Sequence, residues 1–295
     1  MMGSAEVLVL GEALVDVVES AGSVSEHVGG SPANVAVGVS RLGVPVRLAT
    51  RLGRDARGER IAAHLRASAV EISETAWTDA ATDSAHARIQ ADGSAQYTFA
   101  VAGVVAPDDG GETVLVHTGS IALFLDPGGE TCLAALEAAR GRAIVTVDPN
   151  IRPALVGAHD AALARFARAA AAADLVKLSD EDAAWLWPGA PADEVLETIA
   201  AWGTGAVVMT RGAEGAIGRA PDGVLVTVPG ATVAVADTIG AGDSFMASLI
   251  ATLVERGVPA DADALRAALQ FAARAAAITV SRPGANPPTR AELEA

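Results

Sequence analysis

Short, almost wholly apolar runs alternate with helical patterns along most of this chain, and that alternation limits the fold more than any other feature. The runs lie near residues 6–11, 46–52, 114–118, 143–148, 175–178 and 206–210. Helical stretches fall near 31–42, 57–69, 129–139, 161–173 and 193–201, with two more at 242–255 and 261–279. Apolar strands separated by helices indicate a mainly parallel sheet covered on both faces. Segments 14–19, 85–90 and 96–101 break the rhythm, and Asp92-Gly93 between the last two is a hairpin turn. They read as a small β-lid over about 12–30 and 84–104, the alternative being an edge hairpin of the main sheet. Residues 1–295 form a single domain on this reading.

Composition narrows the function. A net charge of −15 disfavours nucleic acid and anionic membranes as partners. An anionic ligand would need a local positive site. Lys177, between Val176 and Leu178, is the sole lysine. A Walker A loop, which needs Gly-Lys-Ser/Thr, is therefore excluded, as is the strand lysine of a eukaryotic-type protein kinase. The single cysteine, Cys132, the lack of a signal-like N-terminus and apolar stretches too short to span a bilayer lead us to expect a cytoplasmic protein.

Three segments could carry chemistry. Asp237-Thr238-Ile239-Gly240-Ala241-Gly242-Asp243 leads into an apolar helix. Its glycines let backbone N–H groups converge at a helix N-terminus, an anion hole that needs no lysine. Asp243 at its mouth suits a base for a hydroxyl attacking phosphorus; in isolation the run is a glycine-rich turn with Asp243 as helix cap. Gly29-Gly30-Ser31-Pro32-Ala33-Asn34 lets a ligand approach the backbone ahead of a helix capped by Ser31, with Asn34 available for polyol recognition. In Gly11-Glu12-Ala13-Leu14-Val15-Asp16, an acid just past the first strand can bind hydroxyls.

Together these segments resemble the hallmark motifs of the ribokinase-like (PfkB) carbohydrate kinases, in order and spacing from about Glu6 to Pro288. Asp148-Pro149-Asn150-Ile151-Arg152 and Lys177-Leu178-Ser179-Asp180-Glu181-Asp182 make the chain most similar to bacterial fructokinases. The resemblance implies a three-layer α/β/α sandwich with a small β-sheet lid, and phosphorylation of a sugar by ATP, most simply D-fructose to fructose 6-phosphate. It makes Asp243 the base and the Gly240, Ala241 and Gly242 N–H groups the stabilisers of the moving phosphoryl. Asp16, Gly29, Gly30, Asn34 and Arg152 would hold the sugar; for Arg152 a surface salt bridge is an equal alternative. Ser179, Thr210, Gly212, Gly215 and Asn286 would line the nucleotide. Magnesium would accompany ATP with Asp182 in its shell, where relatives such as ribokinase carry Asn-x-x-Glu. Asp237 would belong to a potassium-type monovalent-cation site. A homodimer through the lid, with Val15, Val17, Phe99 and Val101 on its face, is open to the family; those side chains could equally pack on their own domain. Rival readings are a 2-keto-3-deoxygluconate kinase using Arg88 or Arg152, a ribokinase, a nucleoside kinase using Tyr97 or Phe99, and a non-catalytic sugar sensor.

Overall fold

The structure, a computed structural model, describes residues 6–20, 23–90, 95–106 and 112–295. The Asp92-Gly93 turn lies outside them. A nine-stranded sheet runs through the molecule. From one edge its strands are Leu225–Val228, Ala216–Arg219, Ala206–Thr210, Leu175–Ser179, Ile144–Asp148, Thr113–Gly119, Glu6–Leu10, Val46–Ala49 and Glu71–Ile72. The pairings from Ala206–Thr210 to Glu71–Ile72 are parallel, and the two at the other edge are antiparallel. The run 46–52 does not stay one strand: it breaks at Thr50-Arg51, and Leu52–Gly53 pairs instead with Trp77–Thr78. Among the described residues no helix is long and apolar enough to cross a membrane.

Alternating side chains of the first strand show why the fold has three layers. Val7 and Val9 enter one core, packed by the helices Ser31–Arg41, Ala241–Arg256 and Ala262–Val280. Leu8 and Leu10 enter the other, packed by Gly128–Ala139, His159–Ala172 and Ala192–Ala201. A period of two turns successive residues to opposite faces, so a strand apolar at every position must be covered on both.

Sheet order also fixes where a ligand can sit. The first strand lies between Val46–Ala49 and Thr113–Gly119, so the chain winds outward in two directions from it. Crevices form beyond the carboxyl ends of strands at such a reversal. Glu12, Gly119, Asp148, Ser179 and Thr210 all lie at or just past those ends.

A second, mixed sheet has the order Ser23–Gly29, Leu14–Ser20, Ser84–Ile89, Ala95–Ala100. It is separate from the main sheet, and the strand Ser23–Gly29 was not legible in the sequence. Val15 and Val17 belong to the protein's own core, the second of the two packings that the sequence left open to them. Glu26 reaches across to Arg57 and Arg60 on the helix Ala56–Ala67. Asp55 caps that helix through Arg57 and Gly58 N–H, and it accepts from Thr82 just ahead of Ser84–Ile89.

Glu12 gives the fold a pH-dependent element. It is 6% exposed and accepts the Ala122 N–H at 3.0 Å. Burial pushes its carboxyl up to about 7 from 4.5, against smaller lowering by its hydrogen bonds. The folded state therefore binds a proton that the unfolded chain has released, and stability falls as pH rises from about 4.5 to about 7. Glu12→Gln keeps an acceptor for Ala122 and abolishes the titration. Its unfolding free energy relative to wild type should rise by on the order of 3 kcal/mol across that window, read from denaturant curves at several pH values. A difference that stays flat with pH would contradict this account of Glu12.

Candidate active site

The helix Ala241–Arg256 starts on Gly240, which is left-handed at φ 76°. A Cβ there would lie 2.7 Å from that of Ala285, so both the turn and the passing segment require glycine. The N–H groups of Gly240 and Gly242 have no protein partner among the described residues, whereas that of Ala241 donates to Thr238 O at 3.3 Å. Two free amides thus lie at the positive end of the helix, where an anion is favoured. Gly242 has ordinary helical backbone, and its constraint comes from below: a Cβ there would lie 3.2 Å from Lys177 Nζ.

Asp243 lies in the first helical turn and is 9% exposed. It is not the helix cap. Its Oδ1 accepts the Ser31 hydroxyl at 2.6 Å and its Oδ2 accepts Asn34 Nδ2 at 2.8 Å. Ser31 was expected to cap the helix it begins; the cap is Gly30, φ 103°, and the hydroxyl is turned to Asp243. A Cβ on Gly30 would come within 2.6 Å of Glu12 O, so the chain passes too closely there for any other residue. The starts of two helices therefore meet at one carboxylate. A carboxylate offers about four lone-pair sites, so two hydrogen bonds leave capacity for a substrate hydroxyl.

On the side of the second sheet, Asp16 pairs in register with His27, and its Oδ2 stands 2.1 Å from where a Gly29 Cβ would be. Burial raises its carboxyl, with His27 and Arg152 opposing. The exposed Arg152 donates to Ile151 O at 3.1 Å and also acts electrostatically on Glu12. On the opposite side, Ser179 and Thr210 are register partners at adjacent strand ends. Ser179 forms a capping box with Asp182 at the start of Asp180–Leu186. Gly212 and Gly215 bracket a short turn at positive φ, and a Cβ on Gly215 would strike Val228 O at 2.2 Å. Asn286 Oδ1 accepts Arg41 at 2.6 Å, which ties its segment to the first helix.

Two expected cation residues are already engaged. Asp182 accepts Ile151 N–H at 2.6 Å and Ser179 N–H at 2.8 Å, one on each oxygen, while 4% exposed. Asp237 accepts the N–H groups of Ile239 and Gly284, and these hold its carboxyl below the ordinary range. Each shapes a loop beside the site through its hydrogen bonds.

The sequence reading missed Lys177 and Asp148, which form a buried ion pair at 2.8 Å beneath the Gly242 turn. The available signal was a lone charge within the apolar strand Leu175–Ser179.

The pattern of the pfkB family carbohydrate kinases matches residues 4–292. A fructokinase of Rhizobium leguminosarum bv. trifolii is 35% identical over 260 residues, covering 84% of this chain and 79% of that protein. A fructokinase of Salmonella typhimurium is 33% identical over 298 residues, 96% of this chain and 95% of its own length. A solved structure of a fructokinase double mutant from Vibrio cholerae O395, with fructose, ADP and potassium ion bound, superposes with a TM-score of 0.84. It is 27% identical and covers 98% of this chain and 97% of that one. With this site in this fold, the chain belongs to the pfkB family of carbohydrate kinases.

Proposed function

We propose that the protein is a fructokinase, which transfers the γ-phosphoryl group of ATP to the 6-hydroxyl of D-fructose. The observation that carries this reading is Asp243, held by Ser31 and Asn34 beside the unpaired amides of Gly240 and Gly242. Similarity to fructokinases over nearly the whole chain supports it. As the O6–P bond forms and the bond to the ADP oxygen breaks, the hydroxyl proton passes to Asp243. Transfer through a loose transition state releases that proton late, so an ordinary carboxylate suffices. The Gly240 and Gly242 amides stabilise charge on the moving group. Asp16, Gly29, Gly30, Asn34 and Arg152 bind the sugar, while Ser179, Thr210, Gly212, Gly215 and Asn286 flank the nucleotide.

Magnesium bound to the ATP phosphates supplies charge neutralisation during transfer. Asp182, oriented by a backbone donor on each oxygen, would lie in the shell of that ion, its remaining lone pairs free for the ion or its water. Phosphates and water would be the main ligands, as is common for magnesium. The loop shaped by Asp237 is the proposed potassium site, in line with the ion bound to the Vibrio cholerae fructokinase.

Residues 12–30 and 84–104 act as a lid that excludes water, an alternative phosphoryl acceptor. The reading takes ATP and a small sugar as partners, without nucleic acid or membrane, and a cytoplasmic location where ATP is supplied. A homodimer through the lid would use its exposed face, where Val24 is 65% exposed. Arg152 is the observation that favours a sugar acid such as 2-keto-3-deoxygluconate. The carboxylates of Asp16 and Glu12 act on that same cation, which suits a neutral sugar better.

ADP release should be measured with magnesium and potassium over fructose, ribose, 2-keto-3-deoxygluconate and nucleosides. Fructose should give the highest kcat/KM. A higher value for the sugar acid would reassign the substrate, and no release with any of them would make the protein a sugar-binding sensor.

A further inference from the structure

Lys177 is the sole lysine of the chain, and the fold buries it. It lies in the strand Leu175–Ser179 with its ammonium under the helix Ala241–Arg256. A strand covered on both faces ordinarily carries an apolar side chain there. Instead Nζ donates to Asp148 Oδ2 at 2.8 Å, the two side chains being 4% and 2% exposed. Nζ is the single atom outside the local backbone that a methyl group on Gly242 would meet within 4 Å, at 3.2 Å. The cation therefore sits directly beneath the turn whose amides face the phosphoryl position.

Its charge state is well defended. Burial acts to lower the proton affinity of Lys177, but Asp148, Asp182 and Asp243 outweigh it and hold the ammonium above its ordinary range. Burial raises Asp148, to about 6, with Lys177 opposing. His117, a basic neighbour on which Lys177 acts, is neutral, since burial pushes it down to about 3. One positive charge thus stands among three carboxylates at the place where phosphate must be accepted.

Stability does not explain the pair. Buried ion pairs are commonly replaced by apolar residues of similar volume without loss. This one is also incomplete: Asp148 Oδ1 is buried with no hydrogen-bond partner among the described residues. Native structures leave few such atoms unsatisfied.

We propose that Lys177, clamped by Asp148, is the fixed cation of the phosphoryl site and acts through the 240–243 turn on the group in transfer. The proposal rests on reading that turn as the phosphoryl site. A charge held in place before the reaction needs no reorganisation when negative charge moves, and in a water-poor site it acts strongly. Lys177 touches neither substrate in this arrangement and is a positioning residue. The same geometry favours glycine at 242, because a Cβ there would crowd the ammonium at 3.2 Å.

Lys177→Met alone leaves Asp148 buried and unpaired, so the decisive variant is Lys177→Met/Asp148→Asn, which removes both charges at similar volume. It should melt within a few degrees of wild type and keep KM for ATP and sugar within about threefold, while kcat falls by roughly 10²-fold. ADP with aluminium fluoride, a mimic of the phosphoryl in transfer, should bind at least about tenfold more weakly, with ADP alone within about threefold. A double variant with kcat within about threefold of wild type would overturn the proposal. So would a loss recovered by raising magnesium, which would make the pair part of the metal shell. Failure of the double variant to fold would overturn it as well, by showing a structural pair. A wild-type protein that phosphorylates none of the sugars refutes the fructokinase reading, while the aluminium fluoride comparison still judges Lys177.

Discussion

Two helix N-termini meet at the carboxylate of Asp243, and the geometry of the site depends on that meeting. The helix Ser31–Arg41 sends Ser31 and Asn34 to its two oxygens, and the helix Ala241–Arg256 carries it in the first turn. Each helix brings unpaired amides and a positive dipole end, so a single anion between them offsets both. The packing that allows this approach is tight: a Cβ on Gly38 would lie 2.6 Å from that of Ala247. Hydrogen bonding to both oxygens fixes the carboxylate plane and leaves lone pairs for an incoming hydroxyl. Ser31, Asn34 and Asp243 are thereby held in one unit.

Sheet topology brings the remaining parts to the same place. Winding outward from Glu6–Leu10 opens a crevice past the carboxyl ends of the parallel strands. Glu12, Asp148, Ser179 and Thr210 are delivered there by different strands. In the proposed function a strongly acidic chain holds an anion at this point through fixed local sources of positive potential: amides, helix ends and, on the further proposal, the buried Lys177. Such sources are insulated from the long-range field, which solvent and salt screen.

The fold was legible because both of its periodicities are strong. Apolar runs such as 143–148 and 206–210 appear as strands within a residue of their expected ends, and the glycine-rich turn opens a helix as its composition requires. The strand Ser23–Gly29 was not legible, because a lid edge is polar and mostly exposed. Within the site, Asp243, Gly240 and Asn34 stood out in the sequence only when their two segments were read together, since each segment alone has an ordinary reading as a turn or a capped helix. Ser31 appeared to be a cap, because its hydroxyl could as well have served its own helix; its partner is 212 residues away. Lys177 and Asp148 were hidden for the same reason: their meaning depends on contact between strands and with Gly242, which no local pattern records. Asp182 has a further role that no local pattern records: it accepts the Ile151 N–H, a contact visible only once Ile151 is seen beside it.

The most direct test of this account is the turnover of Asp243→Asn with fructose and MgATP, alongside its affinity for ATP. Asparagine can keep contact with Ser31 and Asn34 but cannot take the hydroxyl proton. The account predicts that kcat falls by roughly 10²–10⁴-fold while ATP binds as in wild type. Near-normal turnover in that variant would contradict it.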